Sequence, residues 1–361
     1  MSEIRIRRAE KYFNDVQVIN DLNLTIPDGC FFSLLGASGC GKTTTLRAIA
    51  GLETFTSGNI FIGDCQADRL KPAERDIAFV FQLYSLYPHL SVADNISFPL
   101  RAVGLNKSEI RTRVADVSTL LGINSLLEKK PSALSGGDMQ RVAIARALVR
   151  EPKALLMDEP IGALDATLRE QLRGELKALH LKRRTTTVYV THDQVEAMGM
   201  SDLIAVMHNG RLQQVGTPED IYLRPANTYV AQFVGAPAMN IIPANLVTQD
   251  GKTCFLPEGS DTSLPLPLDL HSQCTEIKSS VAVGIRPEHI QRSEKGIPAK
   301  VTAVENHGPH KVLATDIGNH RLYLRETSPD VKPGDWVNLS FDPNYLRLFD
   351  TDSGLSLQPA A

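Results

Sequence analysis

Hydrophobic and polar positions along this chain repeat at two periods, and the alternation between them outlines its organisation. Residues 3–9 and 16–26 alternate as strands do, and Asn14-Asp15 supplies a turn between them. Residues 30–35 form a short apolar run that predicts a buried strand. A glycine-rich segment follows, then a helix over 44–50 that Gly51 can end. Residues 57–63 read as turn, strand, turn, and 76–82 are an apolar run stopping on Gln82. From about 84 to 150 the pattern is mostly helical. Residues 107–121 carry apolar positions near helical spacing, Gly122 punctuates them, 131–137 read as a loop, and 138–150 as a strong helix. Strand grammar then returns at 154–157, 186–191 and 202–207, with a helix over 166–181 and a short one around Ala197. Apolar strands alternating with helices predict an α/β fold with a mainly parallel sheet covered on both faces.

After about residue 235 the helical period fades. Short β-rich runs at 281–285, 299–304, 311–315, 321–324 and 336–341 alternate with Pro and Gly turns, which predicts a small all-β barrel or barrel pair. The expected domains are 1–235, with a helical subdomain over about 84–150, and 236–361.

The first domain carries the chemistry. Gly36-Ala37-Ser38-Gly39-Cys40-Gly41-Lys42-Thr43 fits the phosphate-binding pattern G-x-x-x-x-G-K-[ST] in the strand–loop–helix setting it requires. Glycines let backbone N–H groups turn inward around phosphates, and the helix N-terminus adds partial positive charge. Lys42 is expected on the β and γ phosphates and the Thr43 hydroxyl on Mg²⁺. Asp158, at the end of an apolar strand, is the expected carboxylate for that ion, and Glu159 is placed to polarise an attacking water. Ser135-Gly136-Gly137-Asp138 puts glycines before a second helix, another anion-favouring setting. Cys40 reads either as a thiol activated by Lys42 and the helix N-terminus or as an unreactive small residue.

Composition narrows the classes. The 361 residues carry 38 Lys+Arg and 41 Asp+Glu, a formal charge of -3, so no basic excess points to nucleic acid. Five cysteines (Cys30, Cys40, Cys65, Cys254, Cys274) form no C-x-x-C pair, so neither a zinc site nor a disulfide framework is indicated, and a reducing compartment fits. The N-terminus does not read as a signal peptide. The uncharged stretch over 227–249 contains Gly235, Pro237 and Pro243 and does not supply the about 20 apolar residues of a spanning helix. A soluble protein is expected, with any membrane role exercised through a partner.

Leu134 to Leu148, with Ser135-Gly136-Gly137 at its head, resembles the signature segment of ATP-binding-cassette (ABC) ATPases, and the other motifs of that family follow in order. Tyr12 matches the aromatic that stacks on adenine, the loop from Gly36 to Thr44 the ATP site, Gln82 the Q-loop glutamine that also approaches Mg²⁺, Asp165 the D-loop, and His192 the switch histidine. The resemblance covers about 1–235. It implies Glu159, His192 and Gln82 as catalytic residues, Thr43, Gln82 and Asp158 around Mg²⁺, and Ser135, Gly136, Gly137 and Asp138 on the ATP of a partner subunit. Two positions depart from the family pattern. Asp138 stands where glutamine is usual and is expected to point towards ribose or solvent; Gly162 stands where serine is common.

Val283 to His289, Gly334-Asp335-Trp336-Val337, Phe341-Asp342-Pro343 and Gly235 to Asn240 resemble the tails of carbohydrate and glycerol-phosphate importer ATPases. The aromatic-rich stretch Gln82 to Val92 is similar to the segment bordering the groove for a membrane subunit's coupling helix. That family implies an ATPase powering uptake of a sugar, polyol or glycerol-type solute. It also implies a homodimer or close heterodimer beneath two membrane permease subunits, an external solute-binding protein, and a place on the cytoplasmic face of the inner membrane. Polyamine, sulfate or ferric-iron import is the alternative, as is an added regulatory role of the tail towards a signalling protein.

Overall fold

A computed structural model describes residues 2–249, 252–267, 279–327 and 330–358. Cys274 lies outside them. The chain forms two compact units, Met1–Pro218 and Glu219–Ala361, a division ahead of the boundary expected at 235.

In the first unit, strands β1 (Ile4–Phe13), β2 (Val16–Ile26), β3 (Phe31–Gly36), β4 (Ser57–Ile62), β5 (Cys65–Gln66), β6 (Ile77–Val80), β7 (Ala154–Asp158), β8 (Thr186–Thr191), β9 (Leu203–His208) and β10 (Arg211–Gly216) make two sheets. One is antiparallel, in the order β2-β1-β4-β5; the other runs β10-β9-β3-β8-β7-β6. Its pairs from β6 to β9 are parallel and only β10 is antiparallel. Strands β3, β7 and β8 are buried at every position, which suits their apolar and β-branched runs, with only small polar residues (Ser33, Thr186, Thr187, Thr191) among them before Asp158 ends β7. The helices are α1 (Lys42–Ala50), α2 (Val92–Ala102), α3 (Lys107–Leu120), α4 (Gly136–Leu148), α5 (Ala166–Arg183) and α6 (Gln194–Met200). Residues of α2, α3, α4 and α5 share one core with β6 and β7, including Val92, Ile96, Val117, Ile144, Leu155 and Leu176.

Two helix starts differ from the sequence expectation. Helix α1 begins at Lys42, inside the phosphate motif, and α4 begins at Gly136 because the Ser135 hydroxyl caps it by accepting from the Asp138 N–H. The signature glycines are therefore the first turn of a helix rather than a loop ahead of it.

In the second unit, helices α7 (Pro218–Leu223) and α8 (Thr228–Phe233) precede two five-stranded sheets. The first contains β11 (Asn240–Gln249), β12 (Lys252–Pro257), β13 (Leu264–Pro265), β14 (Ser280–Ile285) and, after the second sheet in sequence, β20 (Arg347–Phe349). The second is β15 (Ile290–Ser293), β16 (Ile297–Asn306), β17 (Lys311–Ile317), β18 (His320–Glu326) and β19 (Trp336–Phe341). Phe255, Val283, Leu313, Leu324 and Leu348 belong to a core shared by both sheets, as expected of an all-β tail.

Candidate functional site

The carboxyl ends of β3, β7 and β8 supply the site, the edge where open α/β sheets bind ligands. The phosphate loop leaves β3 at Gly36. A Cβ there would stand 2.4 Å from the Met207 carbonyl oxygen, so only glycine fits beside β9. Gly41 has φ 101°, and a Cβ on it would meet Ile19 and the Val18 carbonyl. Lys42 is buried, and its ammonium donates to the carbonyls of Gly36 (2.7 Å) and Ala37 (2.9 Å), lying back across the loop. The Cys40 thiol is buried and its pKa is raised, because desolvation outweighs the opposing effect of Lys42. The activated-thiol reading of Cys40 is thereby corrected: the side chain packs against the loop and is held neutral.

The Thr43 hydroxyl donates to Asp158 Oδ1 at 2.9 Å. Burial raises the Asp158 pKa, with the Thr43 bond opposing. A buried carboxylate and a hydroxyl converging at the phosphate loop form the hard oxygen donor set that suits Mg²⁺. Glu159 follows in a left-handed conformation (φ 44°), a backbone choice that costs about 1–3 kcal/mol outside glycine. Its carboxylate joins two other expected residues. Gln82 Nε2 donates to Oε2 at 3.4 Å, and His192 Nδ1 lies 3.2 Å from Oε1. Asp165 caps α5 by accepting from the Leu168 N–H at 3.0 Å. A Cβ at Gly162 would meet only ordinary contacts, with Glu159 O at 3.6 Å, so steric demand does not explain the absence of serine.

The signature residues stand apart from this cluster. No hydrogen bond among the described residues links Ser135, Gly136, Gly137 or Asp138 to the phosphate loop. Ser135 is exposed, and Asp138, partly exposed, accepts from Ser135 Oγ at 2.8 Å and pairs with Arg141 at 3.5 Å. Tyr12 lies on β1 in the antiparallel sheet, 39% exposed.

Three positioning residues escaped the sequence reading. Arg146 of α4 donates to the carbonyls of Ser85 (2.7 Å) and Tyr84 (3.0 Å), tying the segment after Gln82 to the signature helix. Arg169 donates to the Leu164 carbonyl (3.0 Å) and pairs with Asp193 (3.5 Å), joining the D-loop to the residue after His192. Glu196 is buried, with a pKa raised by desolvation, and accepts from Tyr189 (2.9 Å) and Thr191 (2.7 Å) at the end of β8. Their one sequence signal is a charge inside an otherwise apolar helix face; the partners are backbone or distant in the chain.

Family models match for ABC transporter (residues 19–162), MalK OB fold domain (235–290) and TOBE domain (283–349). An uncharacterized ABC transporter ATP-binding protein, y4oS, of Sinorhizobium fredii is 45% identical over 98% of this chain and 94% of its own length. The sn-glycerol-3-phosphate import ATP-binding protein UgpC of Ralstonia nicotianae is 41% identical over 100% of both chains. That of Yersinia pseudotuberculosis is 43% identical over 99% of this chain and 100% of its own. Among solved structures, the ATP-binding cassette MJ0796, dimeric and bound to ADP and Pi, matches with TM-score 0.54 and 31% identity over 60% of this chain and 98% of its own. The cbiO1 protein of Clostridium perfringens, part of an ABC transporter complex, matches with TM-score 0.57 and 29% identity over 60% of this chain and 89% of its own.

Proposed function

This chain belongs to the ABC transporter ATP-binding proteins, ATP-hydrolysing subunits, and we propose that two such subunits share two ATP sites and drive import of a sugar, polyol or glycerol-type solute. The Gln82–Glu159–His192 cluster at the end of β7 carries the mechanistic reading. ATP phosphates draw Lys42 from the Gly36 and Ala37 carbonyls, exchanging two neutral acceptors for charged ones. Mg²⁺ held by Thr43, Asp158 and Gln82 would neutralise charge developing on the phosphates. Glu159 takes the proton of the attacking water, Gln82 orients its carboxylate, and His192 holds the γ phosphate. Tyr12 supplies a stacking face for adenine.

The separation of Ser135, Gly136 and Gly137 from their own phosphate loop supports completion of each site by the other subunit, across which Asp165 also lies. ATP then acts as a ligand of the closed pair alone, so binding shifts the pair towards closure and hydrolysis releases it. Arg146 supports a link from this cycle to the aromatic segment 84–92, where a membrane permease subunit docks. The pair works at the cytoplasmic face of the membrane beneath two permease subunits served by an external solute-binding protein. No helix among the described residues is long and apolar enough to cross a membrane itself. The solute class rests on the relatives named for glycerol-3-phosphate import; the tail of 236–361 supports the same group. Uptake by the complex assembled with its permease and binding protein tests it: transport of polyamine or sulfate without glycerol-type solutes would overturn the class.

The catalytic assignment has its own test. Glu159→Gln should retain ATP binding, accumulate ATP-bound dimers and lose turnover by about 10²-fold or more, the usual weight of a general base. Wild-type turnover in that variant would remove Glu159 from the role.

A further inference from the structure

The departure at Asp138 has a consequence for when the shared site closes. The Ser135 hydroxyl possesses one proton. That proton points to Asp138 Oδ2 at 2.8 Å, while the same hydroxyl accepts from the Asp138 N–H at 3.2 Å. A longer side chain at this third helical position would reach back to the backbone N–H of the cap. The aspartate is short and engages the hydroxyl instead. Its other oxygen meets Arg141 at 3.5 Å, but Arg141 is already committed to Glu175 through two bonds of 3.0 Å. Two carboxylates thus share one guanidinium, and Asp138 sets its negative charge at the start of α4, where the helix N-terminus would otherwise be free to attract an external anion.

We propose that Asp138 is a positioning residue that restrains closure: it holds the Ser135 proton within its own subunit and sets a negative charge against the partner's ATP. The proposal rests on the shared-site reading above. To donate to a phosphate, Ser135 must give up a charge-assisted bond, which is the stronger class of hydrogen bond. Closure then demands more ATP than a neutral residue would require, so these subunits stay apart until ATP is abundant or the membrane partners hold them together.

The test uses the full chain carrying Glu159→Gln, with the dimer fraction followed by light scattering as ATP is raised. Adding Asp138→Asn or Asp138→Gln should lower the ATP concentration at half-dimerisation by about tenfold, the weight of one charge-assisted bond. Adding Ser135→Ala should remove most of that gain, since the two residues act as a pair. A lost helix cap alone would lower thermal stability without tightening closure, so the direction of change separates the two roles. An unchanged or raised midpoint in both Asp138 variants overturns the proposal, as does a gain undiminished by Ser135→Ala. If the parent with Asp138 intact forms no dimer at any ATP concentration, the shared site itself fails, and this inference with it.

Discussion

Among the described residues, Arg286 is one of the largest fully buried side chains, and no ion pair joins it to a carboxylate. It donates to the carbonyls of Tyr222 (3.2 and 2.7 Å), Ala231 (3.2 Å) and Val234, and its guanidinium lies 4.0 Å from the centre of the Tyr222 ring. Burial lowers its pKa, the physical mark of a cation taken out of water. One side chain just after β14 thereby gathers carbonyls from the ends of α7 and α8, where helix-terminal oxygens have no intrahelical donor, and the Ala231 oxygen accepts from the Met239 N–H (3.4 Å) as well. The planar fork does this and a lysine cannot. Arg286→Lys should lower the stability of the second unit by about 3 kcal/mol, read by denaturant unfolding, since several bonds to a charged donor are lost. A change within about 0.5 kcal/mol would contradict the role, being the range of an ordinary surface substitution.

At the scale of elements, α5 packs His180 into the face of β3. The imidazole is buried, meets Phe31 edge-on at 5.2 Å between centroids, and has Asp202 at 3.5 Å. Lys177 and Arg184 also face it, and burial, the largest influence, lowers its pKa. The unfolded chain therefore binds a proton more readily than the folded one. Stability is full above about pH 6.5, the ordinary histidine value, and falls as pH drops towards the lowered folded value. Asp202, also lowered, loses its contribution only at still lower pH, in the carboxylate range. Asp158 and Glu196 are raised and run the opposite way: what they contribute is lost as pH rises through their folded values. Thermal midpoints measured from about pH 7.5 down to about pH 5.5 should fall, and His180→Gln should flatten that slope whatever its absolute stability. An equal slope in both proteins would assign the acid sensitivity elsewhere. Arg146 acts between elements too. Arg146→Ala frees the carbonyls of Tyr84 and Ser85 from α4 and should leave ATP binding within about twofold while weakening stimulation by the permease, because the contact is remote from the phosphates. Undiminished stimulation would show that the link does not transmit.

For the whole molecule, the decisive expectation is stoichiometric. Each chain holds a phosphate loop beside the Gln82–Glu159–His192 cluster, and separately a helix from Gly136 whose first residues make no hydrogen bond to that loop among the described residues. An isolated chain should bind ATP yet turn it over slowly, with activity per chain rising steeply as concentration increases or as the permease is added. Turnover independent of concentration, in a chain proven monomeric by light scattering, would overturn the shared-site reading.

Much of this was legible in the linear chain because the signals are local. A glycine loop between a buried strand and a helix, an apolar run ending in Asp158-Glu159, and short β-rich runs after 235 each follow from period, turn chemistry and backbone freedom over a few residues. The motif order also announces an ABC ATPase. What the sequence left open depends on long-range approach. Whether Cys40 is activated turned on how much water surrounds it, which β3 and β9 decide by burying it. Where Asp138 points turned on Ser135 and on Arg141's prior engagement with Glu175 of α5. Arg146, Arg169 and Arg286 owe their roles to carbonyls, which every residue possesses and no sequence pattern marks. Local periodicity determined the elements and named the chemistry; only tertiary packing fixed the solvation and partners of each charge, because electrostatic free energy depends on surroundings that distant segments supply.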